Sequence, residues 1–279
     1  MQDSIFEVVT TTTGATSIRN KRLNETMHNP VGPWLEANSL YIEQSSLRER
    51  LSSNLNQELV IFDVGLGAAA NSLAAIHCAR SLKKHRPLRI VSFERDLDLL
   101  RFALEKSKNF EHFYGYEGAI ESLLKNSVWN SDYITWELRH GDFVSLIEKE
   151  SQLADIVFYD PYSPNVNTEM WTLSLFQKLK QKCRVSEEGA LLLTYSKATP
   201  VRVALLCSGF YVGAGCGTGE KDETTIAATK KDLLANPFSD RWFTRWKNSS
   251  VPYPLGTVEA EQALIREMIC AHEQFQDLA

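Results

Sequence analysis

The chain has 279 residues, 43% of them hydrophobic and 23% charged, and a formal net charge of -5. Such a composition suits one large globular domain, or a domain with appendages, that can bury a full core. It excludes a transmembrane helix, because no apolar run approaches the roughly 20 residues that cross a bilayer. It also excludes general adhesion to nucleic acid, while leaving room for one local basic patch. The first residues lack a basic stretch followed by a long apolar one, so no signal peptide is expected. Five cysteines without a C-x-x-C pair point to a cytoplasmic protein with reduced thiols and no zinc site.

In chain order, the β-branched residues of Glu7 to Arg19, broken by Gly14, predict a hairpin. Residues 25–33 read as a loop by their Pro and Gly content, and Trp34 to about Leu51 as a helix. From Leu59 short apolar runs alternate with helical stretches. Strands are predicted at Leu59–Asp63, Leu88–Glu94, Ile134–Arg139, Asp155–Asp160 and Gly189–Tyr195, with helices at Ala68–Lys83, Asp96–Ser107 and Glu169–Gln181. That alternation implies a parallel sheet covered on both faces, with its site at the strands' carboxyl ends. After a short helix beyond Pro200, two further strands begin near Phe210 and Glu223, joined by a link too short for a crossover. The expected fold class is α/β, a mostly parallel sheet with an antiparallel edge strand, an N-terminal β-hairpin and a C-terminal helical tail. Such a sheet resembles that of Rossmann-like class I methyltransferases. The divisions are a cap at 1–56, the α/β core at 57–232, and an aromatic and basic segment with a final helix, about Val258 to Gln274, at 233–279.

The turn Asp63-Val-Gly-Leu-Gly67 falls where the first parallel strand meets a helix. Gly65 and Gly67 let the backbone pass close to a ligand, and Asp63 ends the strand toward that crevice. Ala70 and Asn71 stand where a dinucleotide fingerprint has its third glycine, which disfavours a bound pyrophosphate. Glu94 ends the second strand, where a carboxylate accepts hydrogen bonds from ribose hydroxyls. Asp142, after the third strand, is placed to meet the adenine amine. Three strand-end acids suit S-adenosyl-L-methionine better than NADP, whose extra phosphate Glu94 would repel. Helix N-caps and a turn residue are the plainer reading of the same acids.

The fourth strand closes on Phe158-Tyr-Asp-Pro-Tyr-Ser-Pro164. In a sheet of the class it resembles, the fourth strand ends beside the cofactor's methyl group, so Asp160 is expected to face an incoming nucleophile. A carboxylate can take a proton from an amine that titrates near ~10.4. Pro161 restricts Asp160 to extended geometry and fixes the turn. With Tyr162, this segment resembles the D-P-P-Y signature of amino-methyltransferases; an Asx turn is the structural alternative.

Residues 158–172, with Asp160, its turn and Glu169-Met-Trp-Thr172, resemble the methyltransferase domain of the MnmC family. Glu25-Thr-Met-His-Asn-Pro-Val-Gly32, Glu36-Ala-Asn-Ser-Leu-Tyr-Ile-Glu43, Gly189–Ser196 and Gly217–Lys221 continue the likeness. The resemblance implies methyl transfer from S-adenosyl-L-methionine to the aminomethyl group of 5-aminomethyl(-2-thio)uridine at the tRNA wobble position. It further implies a stand-alone methyltransferase without an oxidase, and a functional link to the enzymes that install the aminomethyl group. Asp63, Gly65 and Gly67 would line the methionine part, Glu94 the ribose and Asp142 the adenine, with Asp160 facing the amine. Pro161, Tyr162, Lys197, Arg202 and Lys221 are the expected substrate-side residues. In the tail, Arg241, Arg245 and Lys247 alternate with Trp242, Phe243 and Trp246. That pattern suits a flipped base, or else a helix packing its aromatic face. A small-molecule N- or O-methyltransferase, a spermidine-synthase-like aminopropyltransferase and a non-catalytic nucleotide-binding protein are the other readings these residues allow.

Overall fold

Runs of apolar residues pair side by side when both faces of the resulting sheet can be covered. The computed structural model describes residues 4–27, 31–53, 56–185, 187–217 and 222–278. Strands β1 (Phe6–Thr10), β2 (Thr16–Asn20) and β3 (Glu25–Thr26) form a small antiparallel sheet, so the expected hairpin gains a third, two-residue strand. The single helix expected from Trp34 to Leu51 is broken. It runs as α1 (Pro33–Glu36), a π-helical stretch over Ala37–Glu43, and α2 (Leu47–Ser52). Ser45 is buried and its hydroxyl donates to the carbonyls of Tyr41 and Ile42. Such back-bonding competes with the helical ladder, and Ser46 then turns to φ 51°.

The core follows as β4 (Leu59–Val64), α3 (Ala70–Arg80), β5 (Leu88–Glu94), α4 (Asp98–Glu105), α5 (Glu117–Asn126), β6 (Val128–Ser131), β7 (Ile134–His140) and α6 (Phe143–Lys149). It continues with β8 (Ile156–Tyr159), α7 (Leu173–Gln181), β9 (Leu191–Thr194), α8 (Thr199–Cys207), β10 (Tyr211–Gly215) and β11 (Thr224–Ala228). The strands make one sheet in the order β10-β11-β9-β8-β4-β5-β7-β6. β9, β8, β4, β5 and β7 are parallel, and β6 is an antiparallel edge. β11 slots between β9 and β10, antiparallel to both.

Alternate residues of each strand feed two cores, as a pleated strand requires. Ile61, Ile90, Trp136 and Phe158 pack under the helices α2 to α5 and the π-helical stretch. Phe62, Val91, Tyr159 and Leu192 pack against α6, α7 and α8. Each such side chain, fully buried, contributes about 1.5–3 kcal/mol. The tail adds α9 (Asp240–Lys247) and α10 (Gln262–Cys270) to the second core through Trp246, Ile265 and Ile269. Buried Gln274 fastens it, accepting from Val212 N at 2.7 Å and donating to the carbonyls of Val212 and Phe238. No described helix is long and apolar enough to cross a membrane.

Candidate active site

The strand order reverses at β4, which has β5 on one side and β8 on the other. In an open α/β sheet that reversal splays the following loops and leaves a crevice at the strands' carboxyl ends. A cavity of ≈ 730 Å³ lies there, a size typical of small-molecule sites. Its wall takes Val64 to Gly67 after β4, Phe93 to Asp96 around the end of β5, and Gly141 to Phe143 after β7. Asp160 to Ser163 after β8 and Tyr195 after β9 complete it. The small N-terminal sheet closes over this opening with Phe6, Asn20, Glu25 and Met27. Two contacts tie that roof to the loop after β8: Ser163 Oγ donates to Glu25 Oε1 at 3.0 Å, and Asn20 Nδ2 to Tyr162 Oη at 3.5 Å.

The two central loops touch. Gly65 has φ +89°, and a Cβ built on it would stand 2.6 Å from the carbonyl oxygen of Asp160. Glycine is therefore required both for its backbone angle and for the close approach. Gly65→Ala is expected to destabilise the protein by about 3 kcal/mol, from overpacking and a left-handed backbone. A wild-type melting temperature for that variant would contradict the close approach. Beyond Gly67 the chain turns through Ala69 (φ 61°) into α3. This puts Asn71 in the first turn of the helix, where its Nδ2 donates to Asp160 Oδ2 at 2.8 Å.

Asp160 lies just past the end of β8, its backbone N–H held by the carbonyl of Val64 at 2.9 Å. Burial pushes its carboxyl up to about 8, and the charge of Glu36 in the same cavity pushes the same way. The hydrogen bond from Asn71 and the nearby Tyr41 hydroxyl oppose the rise. Tyr41 is itself wholly buried, and its hydroxyl reaches no partner in good hydrogen-bond geometry. On the far side Tyr195 Oη donates to the carbonyl of Pro161 at 2.9 Å. Burial and then the charge of Asp160 raise this phenol well above its usual range.

Glu94 lines the cavity half-buried. Its Oε2 accepts from Gly67 N at 3.1 Å, and its Oε1 from the N–H groups of Arg95 and Asp96. Burial raises its carboxyl, against those backbone hydrogen bonds. Asp142 lines the cavity as the residue preceding α6 and accepts from Ser145 Oγ at 3.2 Å. Asp63 does not reach the cavity wall. It is buried below, where Oδ2 accepts from Ser72 Oγ at 2.5 Å and Ser92 Oγ at 2.8 Å, tying β4, β5 and α3 together. Burial pushes this carboxyl up to about 6, and its Oδ1 has no partner among the described residues.

Of the expected substrate-side residues, Pro161 and Tyr162 line the cavity. Lys197 stands half-exposed two residues beyond Tyr195, 3.9 Å from Asp222. Arg202 is placed differently from the expectation. It is buried and bonded to Glu223 Oε1, Thr225 Oγ1 and the carbonyl of Thr224, because α8 turns it inward against β11. Lys221 lies outside the described residues. The aromatic side chains of the tail pack: Trp246 is buried, and Trp242 stacks on Phe238 with centroids 4.6 Å apart and lies parallel to Phe275. The cavity also recruits Glu25, Glu36, Asn71 and Tyr195, none of which was among the expected site residues. An asparagine directly after the alanine run 68–70, at the start of the helix that follows G-x-G, was the signal for Asn71.

Six carboxyl groups (Glu25, Glu36, Glu94, Asp96, Asp142, Asp160) face two guanidinium groups (Arg22, Arg95) around this cavity. The balance favours a cationic ligand. Among the described residues no cluster of His, Cys, Asp and Glu fits a metal ion.

Residues 106–230 match the family described as S-adenosyl-L-methionine-dependent methyltransferase. The chain is 27% identical over 253 residues to the tRNA 5-methylaminomethyl-2-thiouridine biosynthesis bifunctional protein MnmC of Campylobacter concisus, covering 88% of this chain and 38% of that one. Its counterpart from Ectopseudomonas mendocina is 29% identical over 229 residues, covering 75% and 33%. The chain thus spans well under half the length of these curated relatives. The crystal structure of MnmC2 from Aquifex aeolicus superposes with a TM-score of 0.70 at 24% identity, covering 96% of this chain and 84% of that one. The protein has the Rossmann-like fold of the S-adenosyl-L-methionine-dependent methyltransferases and is similar to the MnmC proteins over most of its length.

Proposed function

We propose that this protein transfers a methyl group from S-adenosyl-L-methionine to the aminomethyl group of 5-aminomethyl(-2-thio)uridine at the wobble position of tRNA. The observation that carries the reading is Asp160, a half-buried carboxyl aimed by Asn71 and Pro161 into a carboxylate-rich cavity at the sheet's switch point. The cavity fits the cofactor by volume, by its surplus of negative charge and by the glycine approach at Gly65. Gly65 and Gly67 would hold the methionine part, Glu94 the ribose, and Asp142 with Leu99 and Phe143 the adenine. Asp63 would support this cradle from below through Ser72 and Ser92. When bound, the cofactor supplies an activated methyl group on a sulfonium.

The chain's own residues must then present an amine with a free lone pair. An alkylammonium titrates near ~10.4. A proton moves from it to a carboxylate that titrates near 8 more readily than to one near 4. The environment of Asp160 therefore narrows the gap that the transfer must cross. A cation entering the cavity favours ionised Asp160, so docking of the ammonium and loss of the Asp160 proton are linked. Glu36 adds a second negative charge to hold the cationic product, and Tyr162 and Tyr195 wall the acceptor in. The roof formed by the N-terminal sheet excludes water, which strengthens these interactions. The reading places the protein in the cytoplasm, downstream of whichever enzyme installs the aminomethyl group.

The test uses labelled cofactor with bulk tRNA from cells lacking the modification. Label in tRNA, at an aminomethyl-bearing wobble uridine after nuclease digestion, is expected. Label only in added small amines would assign a small-molecule acceptor instead, and no transfer to either would remove the enzymatic reading.

A further inference from the structure

A second hollow, of ≈ 550 Å³, is walled mainly by residues 236–250 of the C-terminal segment, beyond the residues that match the methyltransferase family, with Thr199, Arg202, Ala214 and Glu223 added from within them. Arg241 and Arg245 stand on its rim, one helical turn apart on α9 and both exposed. Neither pairs with a carboxylate among the described residues. Thr199, Ser239, Ser249 and Ser250 add hydroxyl groups. The acid in the wall, Glu223, is held by Arg202 at 2.9 Å. In a chain of net charge -5, two unpaired guanidinium groups over a hydroxyl-lined hollow form a local seat for phosphate oxygens, which Arg recognises through its planar fork.

Position gives this seat a purpose. The catalytic cavity is rich in carboxylates, so it repels the phosphates of any nucleotide whose base enters it. Those phosphates must be held elsewhere. Tyr195 lines the cavity and Thr199 lines the hollow; three residues join them, so these two positions lie no more than about 14 Å apart. Lys197 stands between them on the same segment. An enzyme that extrudes one nucleotide for chemistry needs its flanking backbone fixed at such a distance.

We infer that the hollow between α8 and α9 binds the RNA phosphate backbone adjoining the nucleotide held in the cavity. The inference rests on the RNA-acceptor reading above and deepens it by assigning the segment that docks the substrate. The stacked tail aromatics are then the rigid support for the arginines, not a platform for bases.

The probe is a synthetic anticodon stem-loop RNA, titrated by fluorescence anisotropy at salt concentrations from about 50 to 200 mM. Each phosphate contact to a single strand contributes about 0.7 to the slope of log affinity against log salt, so the double variant R241A/R245A is expected to flatten that slope by about 1.4. R245Q alone should give about half of that change. Binding of S-adenosylhomocysteine, measured by calorimetry on the same preparations, should be unchanged and reports that the core is folded. K83A/K84A removes two exposed charges at the amino ends of the strands and should leave the slope as in wild type. Equal slopes for wild type and R241A/R245A, or the same flattening in K83A/K84A, would overturn the assignment while leaving the RNA-acceptor reading intact. A wild-type protein that binds no RNA would remove that reading, and this one with it.

Discussion

Asp160→Asn is expected to slow methyl transfer by roughly 10²–10⁴-fold, the usual range for losing a positioned proton acceptor, while leaving the adenosyl cofactor bound. Asparagine keeps the shape and can still accept from Asn71 Nδ2, which reaches Asp160 Oδ2 at 2.8 Å. It cannot take a proton. The pH dependence separates this loss from a packing defect. If the ammonium form docks against ionised Asp160, wild-type kcat/KM is bell-shaped, with a lower limb near 8 set by Asp160 and an upper limb near ~10.4 set by the amine. The variant should lose the lower limb. A variant whose profile keeps both limbs at reduced height would assign Asp160 a positioning role only.

The same substitution is expected to stabilise the ligand-free protein above pH 4. Burial holds the folded Asp160 carboxyl near 8, against an ordinary value of 3.8. Between those pH values the unfolded chain has shed this proton and the folded chain retains it. Stability therefore falls as pH rises from about 4 to about 8 and is flat in this respect outside that window. At about 1.36 kcal/mol per unit, the burden reaches on the order of 4 kcal/mol at pH 7. Asparagine carries no such burden. Thermal melts of both proteins should coincide near pH 4 and diverge toward pH 8, with Asp160→Asn the more stable. Parallel pH dependences would mean that the folded carboxyl ionises as easily as an exposed one. Together the two expectations describe a site that sacrifices stability for a carboxyl matched to an amine.

The parallel strands were the most legible part of the chain, because strands buried on both faces read as uninterrupted apolar runs. Leu88–Glu94 was placed without error, and the run that ends at Tyr159 delivers Asp160 to the cavity. α5 and β6 were not anticipated. β6 is partly exposed along its length, and its two-sided neighbours come from β7 and α5 only after folding. The break within Trp34–Leu51 depends on one buried serine hydroxyl bonding backward, which no periodicity reveals. In the site, the strand-end acids Glu94, Asp142 and Asp160 were legible because the topology fixes where strand ends point. Asp63 was legible as a strand end but lies beneath the wall, since its register pairs it with Ser92 and Phe158 inside the sheet. The roof was not legible. Asn20 meets Tyr162 across 142 residues of sequence and Asn71 meets Asp160 across 89, and such pairings are decided by tertiary packing. Arg202 shows the converse: a cation suited by type to bind substrate is consumed by Glu223 and the backbone of β11.

Titration of the purified protein with S-adenosyl-L-methionine by isothermal calorimetry bears most directly on the premise shared by every role assigned above. A single saturable site per chain, abolished when Gly65 is replaced by alanine, is the expected outcome. No heat of binding at any cofactor concentration, or undiminished affinity in the Gly65 variant, would contradict a cofactor seated where β4 and β8 diverge.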